Sequence, residues 1–145
     1  MYFNMKLILL LFIIFAPMTA LSGNDNSSED LFMVLTSGDA ETQMMAMVLA
    51  TQSANQDVAV RVLLCSEAGE LAIRGVESPE FAPANRSPKQ LLNGLIDRGV
   101  NVEVCGIFLP NREYTEEDLT DGIGVAAPPE VAEYMRREGV RYFTF

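Results

Sequence analysis

Residues 31–65 read LFMVLTSGDAETQMMAMVLATQSANQDVAVRVLLC, and they spell out strand, helix and strand in succession. Leu31 to Leu35 is a short apolar run stopped by Ser37-Gly38, the pattern of a buried strand. Asp39 then stands where a helix N-cap belongs, with Ala40 and Glu41 in the first turn, and the helix runs on to the Asn-Gln-Asp turn at Asn55. Asp57 to Cys65 is rich in valine and, after Asp57, apolar except at Arg61, which makes a second buried strand. Two apolar strands joined by a helix predict parallel pairing with a right-handed crossover.

The same alternation continues downstream. After SEAGELAIRG, the segment Glu77 to Arg86 has prolines and no period and reads as a loop. Ser87, Pro88 and Gln90 form the start of a helix with a capping box, whose apolar positions are Leu91, Leu92, Leu95 and Ile96 and whose stop is Gly99. Val100 to Leu109, VNVEVCGIFL, reads as a third strand closed by Pro110. Thr115 to Asp118 is a second capping box opening a short helix. Pro129 starts a last helix that Gly139 ends, and RYFTF is a final strand. The expected fold class is therefore α/β: a three-layer α/β/α sandwich around a mainly parallel sheet. Ligands in such sheets sit at the carboxyl ends of strands, which singles out TSGD, SEAG and PNRE. None of these carries a GxGxxG or a P-loop, so no dinucleotide or triphosphate cofactor is implied.

Upstream, Met1 to Lys6 ends in a positive charge and Leu7 to Ala16, LILLLFIIFA, is unbroken apolar chain followed by small residues. That pattern predicts a signal peptide over residues 1–22, cut after Ser22 or after Ala20. The apolar run falls short of the about 20 residues a spanning helix needs, so no stable membrane anchor is expected after cleavage. A polar, disordered leader over residues 23–30 and one domain over 31–145 complete the expected organisation. The expected location is the periplasm or the medium.

The chain carries a formal net charge of −10, and loss of Lys6 with the signal makes it more negative still. Such a surface repels phosphate backbones and anionic lipid, which argues against nucleic acid as a partner. There is no histidine, so neither a Ser-His-Asp triad, a Cys-His pair nor a histidine metal site can be built. Met44, Met45 and Met47 sit at helical spacing and read as packing residues rather than copper ligands. Asp39, Glu41 and the acidic run Glu116 to Asp118 are accounted for as helix-start residues, so no metal site is assigned. The helix after Asp39 is apolar on more sides than one sheet covers, which predicts a homo-oligomer.

Two cysteines remain, Cys65 and Cys105. A strand ending in Val-Cys-Gly, followed in order by Leu109, EEDL at 116–119, GIGV at 122–125 and PEVAEYMRREGV, resembles the DsrE/DsrF-like family with its YchN-like fold. LFMVLTSGD and LLCSEAGELA fit the same pattern. The resemblance implies assembly into trimers or hexamers. It also implies sulfur handling, with Cys105 at the position of the cysteine that carries a persulfide between a donor and an acceptor protein. That chemistry requires an accessible thiolate and no metal, and without histidine the activating group must be an arginine or a helix N-terminus. Arg112 and the helix opening at Thr115 are the nearest candidates in sequence. Three readings stay open: a sulfur carrier or sulfurtransferase-like protein using Cys105, a non-catalytic oligomeric binding module, and a Cys65/Cys105 thiol-disulfide protein. Cys105 reads as lying several residues inside a strand that ends at Pro110, and Cys65 as an apolar residue at a strand end.

Overall fold

The computed structural model describes residues 29–145. The expected signal peptide and nearly all of the expected leader lie outside the described residues. Among the described residues, no helix is long and apolar enough to cross a membrane.

Five strands, β1 (Asp30–Leu35), β2 (Val60–Leu64), β3 (Asn101–Cys105), β4 (Ile123–Ala126) and β5 (Val140–Thr144), form one sheet in the order β4-β3-β2-β1-β5. Every pairing is parallel. The expected parallel α/β/α architecture is what the chain adopts. On one face lie α1 (Ala40–Ala54), α2 (Pro88–Ile96) and a 3-10 helix over Ser66–Ala72. Their apolar sides pack on Met33, Leu35, Val62, Leu64, Val102 and Val104 in the main core. The third layer is thinner: among the described residues, α4 (Pro128–Tyr134) is the helix that packs on Phe32, Leu63 and Ala126 on the opposite face.

Local chemistry explains the helix starts. Asp39 accepts the Thr42 backbone N–H at 2.8 Å and so caps α1, which also holds its carboxyl below the usual carboxylate range. Ser87 and Gln90 close the capping box of α2 through bonds of 3.2 and 3.0 Å. Buried Gln43 donates to the Ser37 carbonyl at 2.8 Å and ties α1 to the loop leaving β1. In the 77–86 loop, the Phe81 N–H donates to the Arg86 carbonyl at 2.9 Å.

Three elements differ from the sequence reading. The third strand stops at Cys105, not at Leu109, because Gly106 and Ile107 turn the chain into α3 (Phe108–Asn111). Phe108 and Leu109 are buried as expected, but from a helical turn rather than a strand. Ile123–Ala126 is an additional edge strand, and the last helix ends at Tyr134, several residues short of Gly139.

The α1/β5 side of the sheet carries uncovered apolar surface. Met45 and Leu49 on α1 are 54% and 41% exposed and Phe143 on β5 is 49% exposed, while Tyr142 stands on the opposite face beside Phe32. β5 is an edge strand, so its outer N–H and C=O groups have no strand partner among the described residues.

Candidate functional site

The parallel register Leu64↔Val104 makes Cys65 and Cys105 the next residues along two adjacent strands, so they emerge side by side at the carboxyl edge of the sheet. Alternation along a strand sends both side chains to the α4 face, with Leu63 and Glu103. Both thiols are free and half-buried, and both line the same cavity. Burial, reinforced by Cys105, pushes the Cys65 thiol up to about 12. Cys65 therefore stays protonated at neutral pH.

A cavity of about 400 Å³ opens over the pair, lined by Cys65, Ser66, Cys105, Ile107, Phe108, Asn111 and Arg112. A second, apolar cavity of about 220 Å³ lies between α4 and the strand ends, bordered by Cys105, Ile107, Ala126, Val131 and Met135. Cys105 borders both and Cys65 only the first, so Cys105 is the sulfur met from either side. The expectation that Cys105 lies well inside a strand is corrected here. It is the last residue of β3, since the apolar residues after it belong to the turn into α3.

The walls are built by close contacts. Ser66, directly after Cys65, has φ of 52°, a left-handed conformation that costs a serine on the order of 1–3 kcal/mol. It turns the chain sharply from β2 into the 3-10 helix. Gly106 follows Cys105 because a Cβ there would press to 3.0 Å on the Ala126 carbonyl oxygen. Phe108 packs on Gly69, where a Cβ would stand 2.4 Å from the ring, and it stacks on Tyr114 with centroids 6.0 Å apart. These contacts set the position of α3 and of Arg112 beyond it.

Arg112 is the cation of the first cavity, as sequence proximity to Cys105 suggested. It also lies 3.7 Å from Glu67 and 3.8 Å from Glu70, and its guanidinium sits 5.9 Å from the Phe108 ring centroid. Tyr114 donates to Glu70 at 3.1 Å, a bond that pushes its hydroxyl pKa up. Arg112 is thus held by a carboxylate pair at the cavity wall. Thr115, the other candidate activator, does not border this cavity. Its N–H and hydroxyl both donate to Asp118, at 2.8 and 3.0 Å, and the helix behind it is a 3-10 turn of three residues.

Of the strand-end segments marked in the sequence, SEAG and PNRE meet here through Ser66, Asn111 and Arg112. TSGD goes elsewhere: Gly38 lines a separate cavity of about 280 Å³ with Glu67, Glu70 and Glu77. Among the described residues, no three His, Cys, Asp or Glu side chains are arranged to hold a metal ion. Met47 is buried in the core and Met44 half-buried, while Met45 faces outward.

The chain is similar to an uncharacterized protein of Methanocaldococcus jannaschii, with 24% identity over 115 residues. The match takes in 78% of this chain and 42% of that protein, so the chain spans under half the length of its relative. The crystal structure of the ychN protein from E. coli superposes with a TM-score of 0.69 at 21% identity, covering 81% of this chain and 99% of that one. A protein of unknown function from Methanobacterium thermoautotrophicum superposes with a TM-score of 0.55 at 20% identity, covering 79% and 96%. These likenesses establish the fold. Residues 30–145 match the DsrE/DsrF-like family across every strand and helix described above, and the chain belongs to that family.

Proposed function

We propose that the protein is a sulfur carrier, sulfurtransferase-like in its chemistry, that holds a persulfide on Cys105. The observation that carries this reading is the position of Cys105: last residue of its strand, bordering two cavities, with a guanidinium on the wall of one. A sulfur carrier needs a thiolate that attacks a sulfane sulfur and an anion-stabilising group for the persulfide that results. Arg112 supplies the positive charge, and no other chemistry is needed. Cys65, held protonated beside it, does not compete with Cys105 for the sulfane sulfur of the donor. A donor or acceptor protein would reach Cys105 past exposed Ile107 and Met135, which are 68% and 50% accessible. Persulfide loading from cysteine persulfide is expected to require Cys105 and to survive replacement of Cys65.

The protein acts outside the cytoplasm as a homo-oligomer in this reading. Support for export is the apolar run at 7–16 followed by Ala20 and Ser22. Support for assembly is the apolar surface of Met45, Leu49 and Phe143 beside the open edge of β5, with a cavity of about 230 Å³ between α1 and that strand. Protein recovered from an exporting cell is expected to begin between Leu21 and Asn24 and to scatter light as a multiple of one chain. An intact Met1 would overturn the export claim, and a monomer mass at micromolar concentration the assembly claim.

A further inference from the structure

We infer that Cys65 is a resolving thiol: it displaces the sulfur carried on Cys105 as hydrogen sulfide and leaves a Cys65–Cys105 disulfide. The inference rests on the carrier reading of Cys105 and adds to it a fate for the carried sulfur.

Geometry places the two sulfurs for this. Adjacent parallel strands lie about 4.8 Å apart, and a disulfide spans Cα separations of about 4.4–6.8 Å. Cys65 and Cys105 continue the register of Leu64 and Val104 on the same face of the sheet, which sets them side by side on adjacent strands. Both open into the same cavity, which gives a departing small anion a way out past Arg112. A CxxC motif is unnecessary when the sheet itself supplies the pairing.

The step balances without any outside reagent. A persulfide on Cys105 has an inner sulfur, the cysteine Sγ, and a terminal sulfur that is anionic at neutral pH. As the Cys65 sulfur attacks, its thiol proton passes to the terminal sulfur. The Cys65 sulfur bonds to the inner sulfur, the bond between inner and terminal sulfurs breaks, and HS⁻ leaves. The sulfane sulfur gains two electrons, and the two cysteine sulfurs lose them on forming the disulfide. The high proton affinity of Cys65 keeps this step slow, because the thiol must give up a tightly held proton as its sulfur attacks. Cysteines that carry reversible sulfur modifications are often poised next to a resolving thiol. An acceptor protein must therefore take the sulfur before Cys65 does, and the pair divides its cargo between transfer and release as sulfide.

The test gives the reduced full chain one equivalent of cysteine persulfide and follows free sulfide, intact mass and the linkage map. Wild-type protein is expected to release one sulfide per chain, lose two hydrogens and show a peptide linked through Cys65 and Cys105. Cys65→Ser and Cys65→Ala are expected to keep the added sulfur on Cys105 and to release no more sulfide than donor alone. If wild-type protein holds the added sulfur as long as the Cys65 variants do, the resolving role is overturned and the carrier reading stands. If neither wild-type nor variant protein gains or releases sulfur, the carrier reading falls and takes this inference with it.

Discussion

Replacing Glu103 with alanine is expected to destabilise the protein by about 3–5 kcal/mol, the usual consequence of leaving one member of a buried ion pair alone. Arg61 on β2 donates through Nε to Glu103 Oε2 at 2.7 Å, and its second nitrogen approaches the same oxygen at 2.7 Å. Both side chains are 11% exposed, and Asn101 adds a third donor to that oxygen at 3.3 Å. The guanidinium is also boxed in by aromatic rings, 4.7 Å from the Tyr134 centroid and 5.7 Å from that of Phe32. With the carboxylate gone, Arg61 keeps its charge in an apolar slot under α4 and has no anion to answer it. Replacing both residues with leucine should instead be near neutral, since the desolvation of both charges is removed together. Urea denaturation of the single and double variants measures this cycle. A loss below about 1 kcal/mol for Glu103→Ala, the range of exposed pairs, would show that water reaches the site freely. The pair joins β2 to β3 just below the two cysteines, so it helps to hold the register on which their adjacency depends.

Gly69→Ala is the second substitution with a large expected effect, a destabilisation of about 1–3 kcal/mol from overpacking. The added Cβ would meet three atoms of the Phe108 ring at 2.4, 2.5 and 2.7 Å, and no real carbon contact is that short. Phe108 cannot swing away easily, because it is 4% exposed, stacks on Tyr114 and supports Arg112. Relief has to come from moving α3, which shifts Ile107 and Arg112 relative to Cys105. Persulfide loading should therefore slow along with the loss of stability. Combining Gly69→Ala with Phe108→Leu is expected to recover part of both losses, because the smaller side chain vacates the overlap. An unchanged melting temperature in Gly69→Ala would mean that the 3-10 helix gives way without cost.

How far such contacts can be foreseen depends on where the physics acts. Caps are local: Asp39 with Thr42 and Ser87 with Gln90 satisfy backbone groups three residues away, and their spacing in the chain is enough to recognise them. The buried strands β1 and β2 were equally plain, since both carry continuous apolar runs between turn residues. The run from Cys105 to Leu109 misleads for a physical reason. A short apolar stretch buries as well from a helical turn as from a strand, and only Gly106 hints at the break. Ile123–Ala126 was missed as a strand because Gly122 and Gly124 weaken its pattern and it pairs on one side only.

The candidate site was half legible. Cys105 and Arg112 are close in sequence, and the family resemblance directed attention to the cysteine. Cys65, taken as an apolar strand-end residue, gains its meaning from register. Forty residues separate it from Cys105, and nothing local records that β2 and β3 are neighbours in step. The same holds for Arg61 and Glu103, whose pairing is a product of the sheet and not of any spacing in the chain.

The central claim is that Cys105, and not Cys65, takes up sulfane sulfur. It is tested most directly by giving cysteine persulfide to folded Cys65→Ser and Cys105→Ser proteins and weighing each by intact mass spectrometry. Cys65→Ser is expected to gain one sulfur atom, located on the Cys105 peptide, and Cys105→Ser to gain none. Equal uptake by the two variants, or uptake by Cys105→Ser alone, would contradict the assignment.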